Sequence, residues 1–176
     1  VLAGDARELL AKSTIDAQDK LNDLSKSTFV AVETIGALGF AGSQSGTNLE
    51  GMAKAIGNLN QNTALALGGN EEMGQVFRNM NIAVSELRNL SPDELFAKIS
   101  DAFSSSQDEA VKAAYGAKLF GKAYQEVLPT LDEGGDKLRK NIQYYKQFSG
   151  VTAESVAKAD AFNDEMDRMG ARMEAS

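Results

Sequence analysis

Only two prolines, Pro92 and Pro129, punctuate a chain of 176 residues that is rich in Ala, Leu, Lys and Glu. These four residues favour helix, and proline is the residue that most strongly ends one. No window alternates apolar and polar residues as a half-buried strand does. The sequence therefore predicts an all-α fold. We expect several short to medium helices in a bundle-like module, with an extended amphipathic helix at the N-terminal end and a second amphipathic helix at the C-terminal end.

Two absences limit the chemistry of this chain, which contains neither Cys nor His. It therefore lacks a thiolate nucleophile, a disulfide framework and the commonest general base and metal ligand. We expect no enzyme activity, no cofactor and no metal. Its 18 basic and 25 acidic residues give a net charge of -7, which opposes binding to a phosphate backbone, so no nucleic-acid partner is expected.

The composition changes near residue 70. We expect residues 1–70 to form a Gly/Ala-rich helical approach segment and residues 71–176 to form a helical module, unless the two make one continuous unit. Apolar residues of 1–27 recur every three or four positions, as in an exposed amphipathic helix or a coiled-coil strand. Further on, Asn48 is predicted to cap a helix that follows a break at 42–47 and ends near Gly68 and Gly69.

Three glycines, Gly36, Gly39 and Gly42, lie in the most apolar stretch of the chain, 29–42. At about fourteen residues this stretch is too short to span a bilayer as a helix. The glycine spacing fits close helix packing or loops better than a membrane-seeking segment, which remains the alternative.

Two capping-box patterns are predicted to open helices in the second half of the chain. In the first, Ser91 precedes Pro92 at the first helical position and Glu94 lies three residues on. In the second, Ser106 precedes Glu109 at the same spacing. The inner faces of these two helices are predicted to carry Leu95, Phe96, Ile99 and Phe103, and then Val111, Ala114, Tyr115 and Leu119.

The remaining boundaries follow from proline, glycine and threonine. Pro129 predicts a kink or a helix restart within 124–131, and Gly134-Gly135 predicts a turn. A further helix should carry a stripe of Leu138, Ile142 and Tyr145. Thr152 is predicted to cap a last helix, whose apolar residues recur at nearly heptad spacing. In this helix Phe162 is expected to be core, and Met166, Met169 and Met173 could form a partner-binding stripe.

Two patterns that resemble ligand sites are better explained as structure. Gly116 and Gly121-Lys122 match a phosphate-binding loop, but Ala123 replaces the required Ser or Thr and a helix is expected before it. The acidic residues Asp132, Glu133 and Asp136 lack the alternating oxygen ligands of a calcium loop, so a solvated turn is expected.

From about residue 76 to 173 the chain resembles the recurrent helical region of phage tail tape measure proteins. The order is similar: a capped helix, an Ala-rich helix ending in Leu-Phe-Gly, a phrase containing Leu-Pro, a glycine turn and an acidic Phe-Asn-Asp helix. This chain has Lys122-Ala123-Tyr124 where the family commonly has a Ser-Gly pair. The segments that carry the resemblance are 77–82, 90–96, 99–103, 113–121 (AAYGAKLFG), 126–131 (EVLPTL) and 161–168 (AFNDEMDR), with Gly134-Gly135 after the fifth. The fourth segment contains Leu119, Phe120 and Gly121, and the fifth contains Leu128 and Pro129.

The resemblance implies a virion structural protein of a phage or prophage that occupies the lumen of the tail tube, sets tail length and is expelled during genome ejection. It implies other copies of the chain, tail tube, tail tip and tail assembly chaperone proteins as partners. Its location would be the virion tail lumen, and the host cytoplasm during assembly. We also expect Leu128 to be buried. The alternatives are a generic helical adaptor and a membrane-active helical segment that aids DNA passage through the host envelope.

Overall fold

The computed structural model describes residues 16–149 and, beyond them, residues 154, 158, 168, 169, 171, 172 and 175. Within this part of the chain the fold is all-α, as predicted, and contains no strand. The first helix, α1, is described from 16 to 28. The others are α2 (Val32–Ser43), α3 (Leu49–Leu67), α4 (Glu71–Asn79), α5 (Pro92–Ser105), α6 (Glu109–Phe120), α7 (Tyr124–Asp132) and α8 (Gly135–Phe148), with 3-10 turns at Val84–Arg88 and Gly121–Ala123.

The core is built around α3 from helices on both sides of residue 70. Helix α3 packs against α2, α4, α6 and α7, while α8 packs against α2 and α5. One cluster of buried side chains runs from Val30 to Ile142, and its largest fully buried members include Phe77 and Phe96. The described helices therefore share a single hydrophobic core that crosses residue 70.

Helix α3 begins and ends where the sequence places it. Asn48 Oδ1 accepts a hydrogen bond from the Gly51 N–H at 2.7 Å, which confirms the cap. The helix ends at Leu67, and Gly69 follows with a φ of +95°. The glycine there supplies the left-handed backbone that closes a helix at little steric cost.

Helix α5 also begins as predicted, with one difference. Ser91 Oγ accepts from the Glu94 N–H at 3.4 Å, and Pro92 is the first helical residue. Glu94 does not complete a capping box by turning back to Ser91. Its carboxylate accepts from Arg139 on α8 at 2.9 Å, because a charged donor is the stronger partner.

The predicted capping box of α6 is wrong. Ser106 ends α5, and its N–H donates to the carbonyls of Ala102 and Phe103, both at 3.2 Å. The cap of α6 is Asp108, whose Oδ1 accepts from the Val111 N–H at 3.1 Å, so Glu109 is the first residue of the helix. A carboxylate also suits the positive end of a helix.

The predicted inner face of α6 is rotated by about one residue. Leu119 is buried, but Ala114 and Val111 are exposed and Tyr115 is half-buried. The residues that face inward are Lys112, Gly116, Leu119 and Phe120. Gly116 takes this face because a Cβ there would overlap the ring of Tyr124, so only glycine lets the ring approach.

Helix α7 differs from expectation in where the chain restarts and in which residues it buries. It runs through Pro129 as one helix, so no restart occurs there, and the restart lies earlier, at Gly121, where φ is +59°. Leu128 is half-buried, whereas Val127 and Leu131 are fully buried. The 3-10 turn before α7 sets this rotation, which points Val127 and Leu131 into the core.

The glycines of α2 serve helix packing. A Cβ at Gly36 would overlap Tyr145, and one at Gly39 would contact Leu49. The predicted stripe of α8 is present, with Leu138 and Ile142 buried and Tyr145 half-buried. Of the last predicted helix, Thr152, Phe162, Met166 and Met173 lie outside the described residues, and Met169 is 48% exposed.

Candidate functional site

Five apolar side chains of the segments that carry the family resemblance lie in the interior of the described helices. Leu95, Phe96, Phe103, Leu119 and Phe120 are all buried. The rings of Phe96 and Phe120 lie 5.6 Å apart, tilted by 57°, as aromatic pairs prefer. One ring of α5 therefore contacts one ring of α6, and the five side chains contribute to the fold through packing.

Three asparagines of α3 close the ends of other helices. Asn58 Nδ2 donates to the Phe120 carbonyl at 2.7 Å, and Asn62 Nδ2 donates to the Leu119 carbonyl at 2.9 Å. Asn60 Nδ2 donates to the Thr28 carbonyl at 3.3 Å. The last carbonyls of a helix have no partner within it, so these amides satisfy the ends of α6 and α1. The polar patch 58–62 thus has a structural role.

A cluster of hydroxyl groups joins α7 to the α2–α3 turn and to α5. Thr47 Oγ1 lies 2.9 Å from Thr130 Oγ1, which in turn lies 2.7 Å from Ser45 Oγ. Ser100 Oγ donates to the Leu131 carbonyl at 2.7 Å. Thr47, Ser100 and Thr130 are buried, so each needs these partners to offset its lost hydration.

Ion pairs join α5 to α8 along their antiparallel contact. Lys146 Nζ lies 2.7 Å from Asp93 Oδ2. Arg139 pairs with Glu94 and also with Asp101, whose Oδ2 lies 3.0 Å from Nη1. The other oxygen of Asp101 accepts from the Gly135 N–H at 2.8 Å, so the same carboxylate caps the start of α8.

The Asp93–Lys146 pair is the more enclosed of these contacts. Burial by itself would raise the pKa of Asp93, but hydrogen bonds from Lys146 and Ser91 lower the pKa below its ordinary value of 3.8. The folded carboxyl therefore binds its proton less tightly than the unfolded one. The pair stabilises the fold fully above the ordinary pKa and loses this contribution as the pH falls through the folded value.

Helices α2 and α8 share an exposed aromatic surface. Tyr144 and Phe148 on α8 are 56% and 64% exposed, and their ring centroids lie 4.8 Å apart. Phe40 on α2 stacks on Tyr144 at 5.8 Å and contacts Tyr145 at the same distance. We call Phe40, Tyr144, Tyr145 and Phe148 the α2–α8 aromatic face. Large exposed aromatic side chains are typical of surfaces that bind other proteins.

A cavity of about 510 Å³ opens between the end of α4 and helices α5 and α6. Its wall holds Lys98, Lys112 and Arg139, and each of these cations already contacts a carboxylate of the chain. Lys112 is buried, and its hydrogen bond to Asp132 raises its pKa. The three cations in the cavity wall therefore form ion pairs with carboxylates of the same chain.

The described residues contain no group of three or more acidic side chains placed to hold a metal ion. Asp132 pairs with Lys112 and Glu133 pairs with Lys137, so the acidic turn is a set of ion pairs. The glycine-lysine pattern is no phosphate loop either, because Gly116 is buried within α6. Among the helices described, none has the length and apolar character needed to cross a membrane.

No family model, no curated protein and no solved structure matches this chain. The resemblance in the sequence and the surfaces of the fold are therefore the basis for a functional proposal.

Sequence reasoning missed the α2–α8 aromatic face, although one signal was available. Tyr144 and Phe148 are spaced by four residues, which places them on one side of a helix. Phe40 joins them only because α2 packs on α8, a contact between residues about a hundred positions apart that periodicity does not predict.

Proposed function

We propose that this chain is a segment of a phage tail tape measure protein and that it acts as a helical module in tail assembly. In this role it occupies the lumen of the tail tube, contributes to tail length and leaves the tail when the genome is ejected. The observation that carries the proposal is the series of family-like phrases between residues 76 and 173, which follow the family order with compatible spacing.

The way in which these phrases are used supports the proposal. In the described residues, Leu95, Phe96, Phe103, Leu119 and Phe120 of these motifs belong to the hydrophobic core, and Ser91 begins α5. A structural component needs a defined shape and surfaces that bind partners. These side chains of the motifs pack in the core or form a hydrogen bond at the end of a helix.

The partners proposed are other copies of the chain and the tail tube, tail tip and tail assembly chaperone proteins. The α2–α8 aromatic face is the surface that we propose for one of them, because its exposed rings offer apolar area at low entropic cost. The corresponding location is the tail lumen of the virion, preceded by the host cytoplasm during assembly.

The proposal is tested by changing the length of the gene that encodes this chain and measuring tails by electron microscopy. In-frame removal of residues 16–149 is expected to shorten the tail, by at most about 200 Å if the segment lies as one straight helix. Duplication of the same residues should lengthen it. The control gene carries four synonymous codons in the same region. Its protein is unchanged, so tail length is expected to be unchanged.

Normal tails of unchanged length in both the deletion and the duplication would contradict the proposal. That result would favour the generic helical adaptor, which has the same fold but no relation between its length and that of a tail. No observation in the described helices favours the membrane-active alternative, since the glycines of 29–42 are used in packing.

A further inference from the structure

The junction between α1 and α2 contains an unusual residue. Phe29 has a φ of +58°, in the left-handed region, and its side chain is 89% exposed. Left-handed backbone is unfavourable for a residue with a Cβ, and glycine normally occupies such helix ends. A bulky aromatic residue gains nothing at this position in the single chain, because its ring is not buried and its backbone is strained.

Nothing in the junction sequence itself requires the chain to turn there. Residues 29–31 are Phe-Val-Ala, without glycine or proline, and Ala31 offers α2 no side-chain cap. If these three residues were helical, α1 and α2 would form one helix over 16–43, about 42 Å long. Val30, which is buried in the single chain, would then lie on the same side as the buried Ala37 and Ala41, seven and eleven residues on.

The contacts that hold α1 in place are made with the body of the fold. Leu21 and Leu24 pack partly buried against the core. Lys20 forms an ion pair with Glu50 on α3, and Asn60 of α3 donates to the Thr28 carbonyl at 3.3 Å. The leucine contacts and the Lys20–Glu50 ion pair would be available in the same way to an α1 of another copy, whereas the Asn60 bond closes an open helix end and belongs to the single chain.

We propose that α1 exchanges between two copies of this protein. In the exchanged dimer each α1 continues directly into its own α2 as one helix and packs on α3 of the other copy. The exchange keeps the leucine contacts and the Lys20–Glu50 ion pair of α1 with the body, and it relieves the left-handed backbone at two Phe29 residues. Its local costs are two hydrogen bonds: the bond from Ser25 Oγ to the Val30 carbonyl, which crosses the junction at 2.5 Å, and the bond from Asn60 to the Thr28 carbonyl, which becomes an internal carbonyl of the continuous helix.

This inference goes beyond the tape measure proposal and does not depend on it. The partner is a second copy, because only another copy carries an α1 that fits the surface on α3. Association is favoured when copies are concentrated, as for any dimer, and it is slow because α1 must first leave its own body.

Two substitutions at Phe29 separate the backbone effect from the ring. Phe29→Ala and Phe29→Gly both remove the exposed ring, and neither touches the core. Alanine keeps the left-handed strain and favours a continuous helix, whereas glycine relieves the strain and disfavours the helix. A left-handed alanine costs about a tenfold factor at each junction, and the dimer relieves two junctions. This term alone should make the association constant of Phe29→Ala exceed that of Phe29→Gly by about a hundredfold, and the helix cost of glycine adds to the difference.

The experiment measures the full chain and both variants by sedimentation velocity over a range of concentrations, with circular dichroism to confirm folding. Because the chain has no cysteine, Lys20→Cys with Glu50→Cys adds one defined pair that a short bifunctional maleimide can link. We expect the dimer fraction to carry links between chains and the monomer to carry links within a chain.

Three results would overturn the exchange. Equal association of the alanine and glycine variants would assign dimerisation to something other than the junction backbone. A dimer whose 20–50 links all lie within one chain would place the interface elsewhere. Monomers throughout, including Phe29→Ala at the highest concentration, would show that α1 stays on its own body.

Discussion

At the scale of single residues, short polar side chains decide where helices begin and end. Some act within their own helix, as Asn48 does at the start of α3. Others act from a distance: Asn58 and Asn62 of α3 satisfy carbonyls at the end of α6, more than fifty residues away. The first kind is visible in a sequence because partner and cap lie three residues apart. The second kind requires the helices to be packed already.

The start of α6 offers a test at this scale. Asp108→Ala should lower the free energy of unfolding by about 1 kcal/mol, because it removes the side chain that accepts from the Val111 N–H. Ser106→Ala should change it by less than about 0.5 kcal/mol, since Ser106 lies outside the helix. Urea unfolding of both variants checks the order. A larger effect at Ser106 than at Asp108 would restore the capping box that the sequence suggested.

At the scale of the helix, glycines mark the positions where another side chain packs closely against a helix as well as the positions where a helix ends. Periodicity placed α5 and α8 correctly because their apolar stripes are flanked by polar faces. It failed for α6, whose inner face holds a glycine and a lysine that a hydrophobicity pattern assigns to solvent. Gly116 is inside because of the Tyr124 ring, and Lys112 is inside because Asp132 pairs with it.

Two glycine substitutions should therefore have opposite effects. Gly116→Ala should destabilise the fold by about 1–3 kcal/mol, since the new Cβ overlaps the buried ring of Tyr124. Gly57→Ala is the matched control in α3, where the nearest atom to a new Cβ is Thr28 Cγ2 at 3.4 Å, an ordinary contact. It should be neutral or stabilise by up to about 1 kcal/mol through helix propensity. Thermal unfolding of both variants makes the comparison, and equal shifts would mean that Tyr124 does not confine α6.

At the scale of the whole molecule, the change of composition near residue 70 does not divide the core. Helix α3 supplies Ile56 and Leu59 to the same buried cluster as Phe96 and Phe120 from the second half. Helices that follow residue 70 would expose these rings to water if α2 and α3 were absent.

We therefore expect residues 71–176 alone to lack a cooperative unfolding transition. The apolar area that α2 and α3 cover would remain in water, and a fragment of this size depends on that burial for its stability. The chain without residues 1–15, which keeps every described core residue, should unfold cooperatively. Denaturant titrations followed by circular dichroism and tyrosine fluorescence test both. A sharp transition in the 71–176 fragment would establish it as an independent domain.

The sequence by itself determined the helical class, most helix boundaries and the inner faces of α5 and α8. These depend on interactions between residues at most four positions apart, which periodicity and capping patterns report directly. Only the tertiary structure decided the rotation of α6 and α7, the role of the asparagines of α3, the partners of Lys112 and Glu94 and the aromatic face shared by α2 and α8. Each of these depends on groups far apart in the chain, whose burial and hydrogen bonds exist only after the helices have packed.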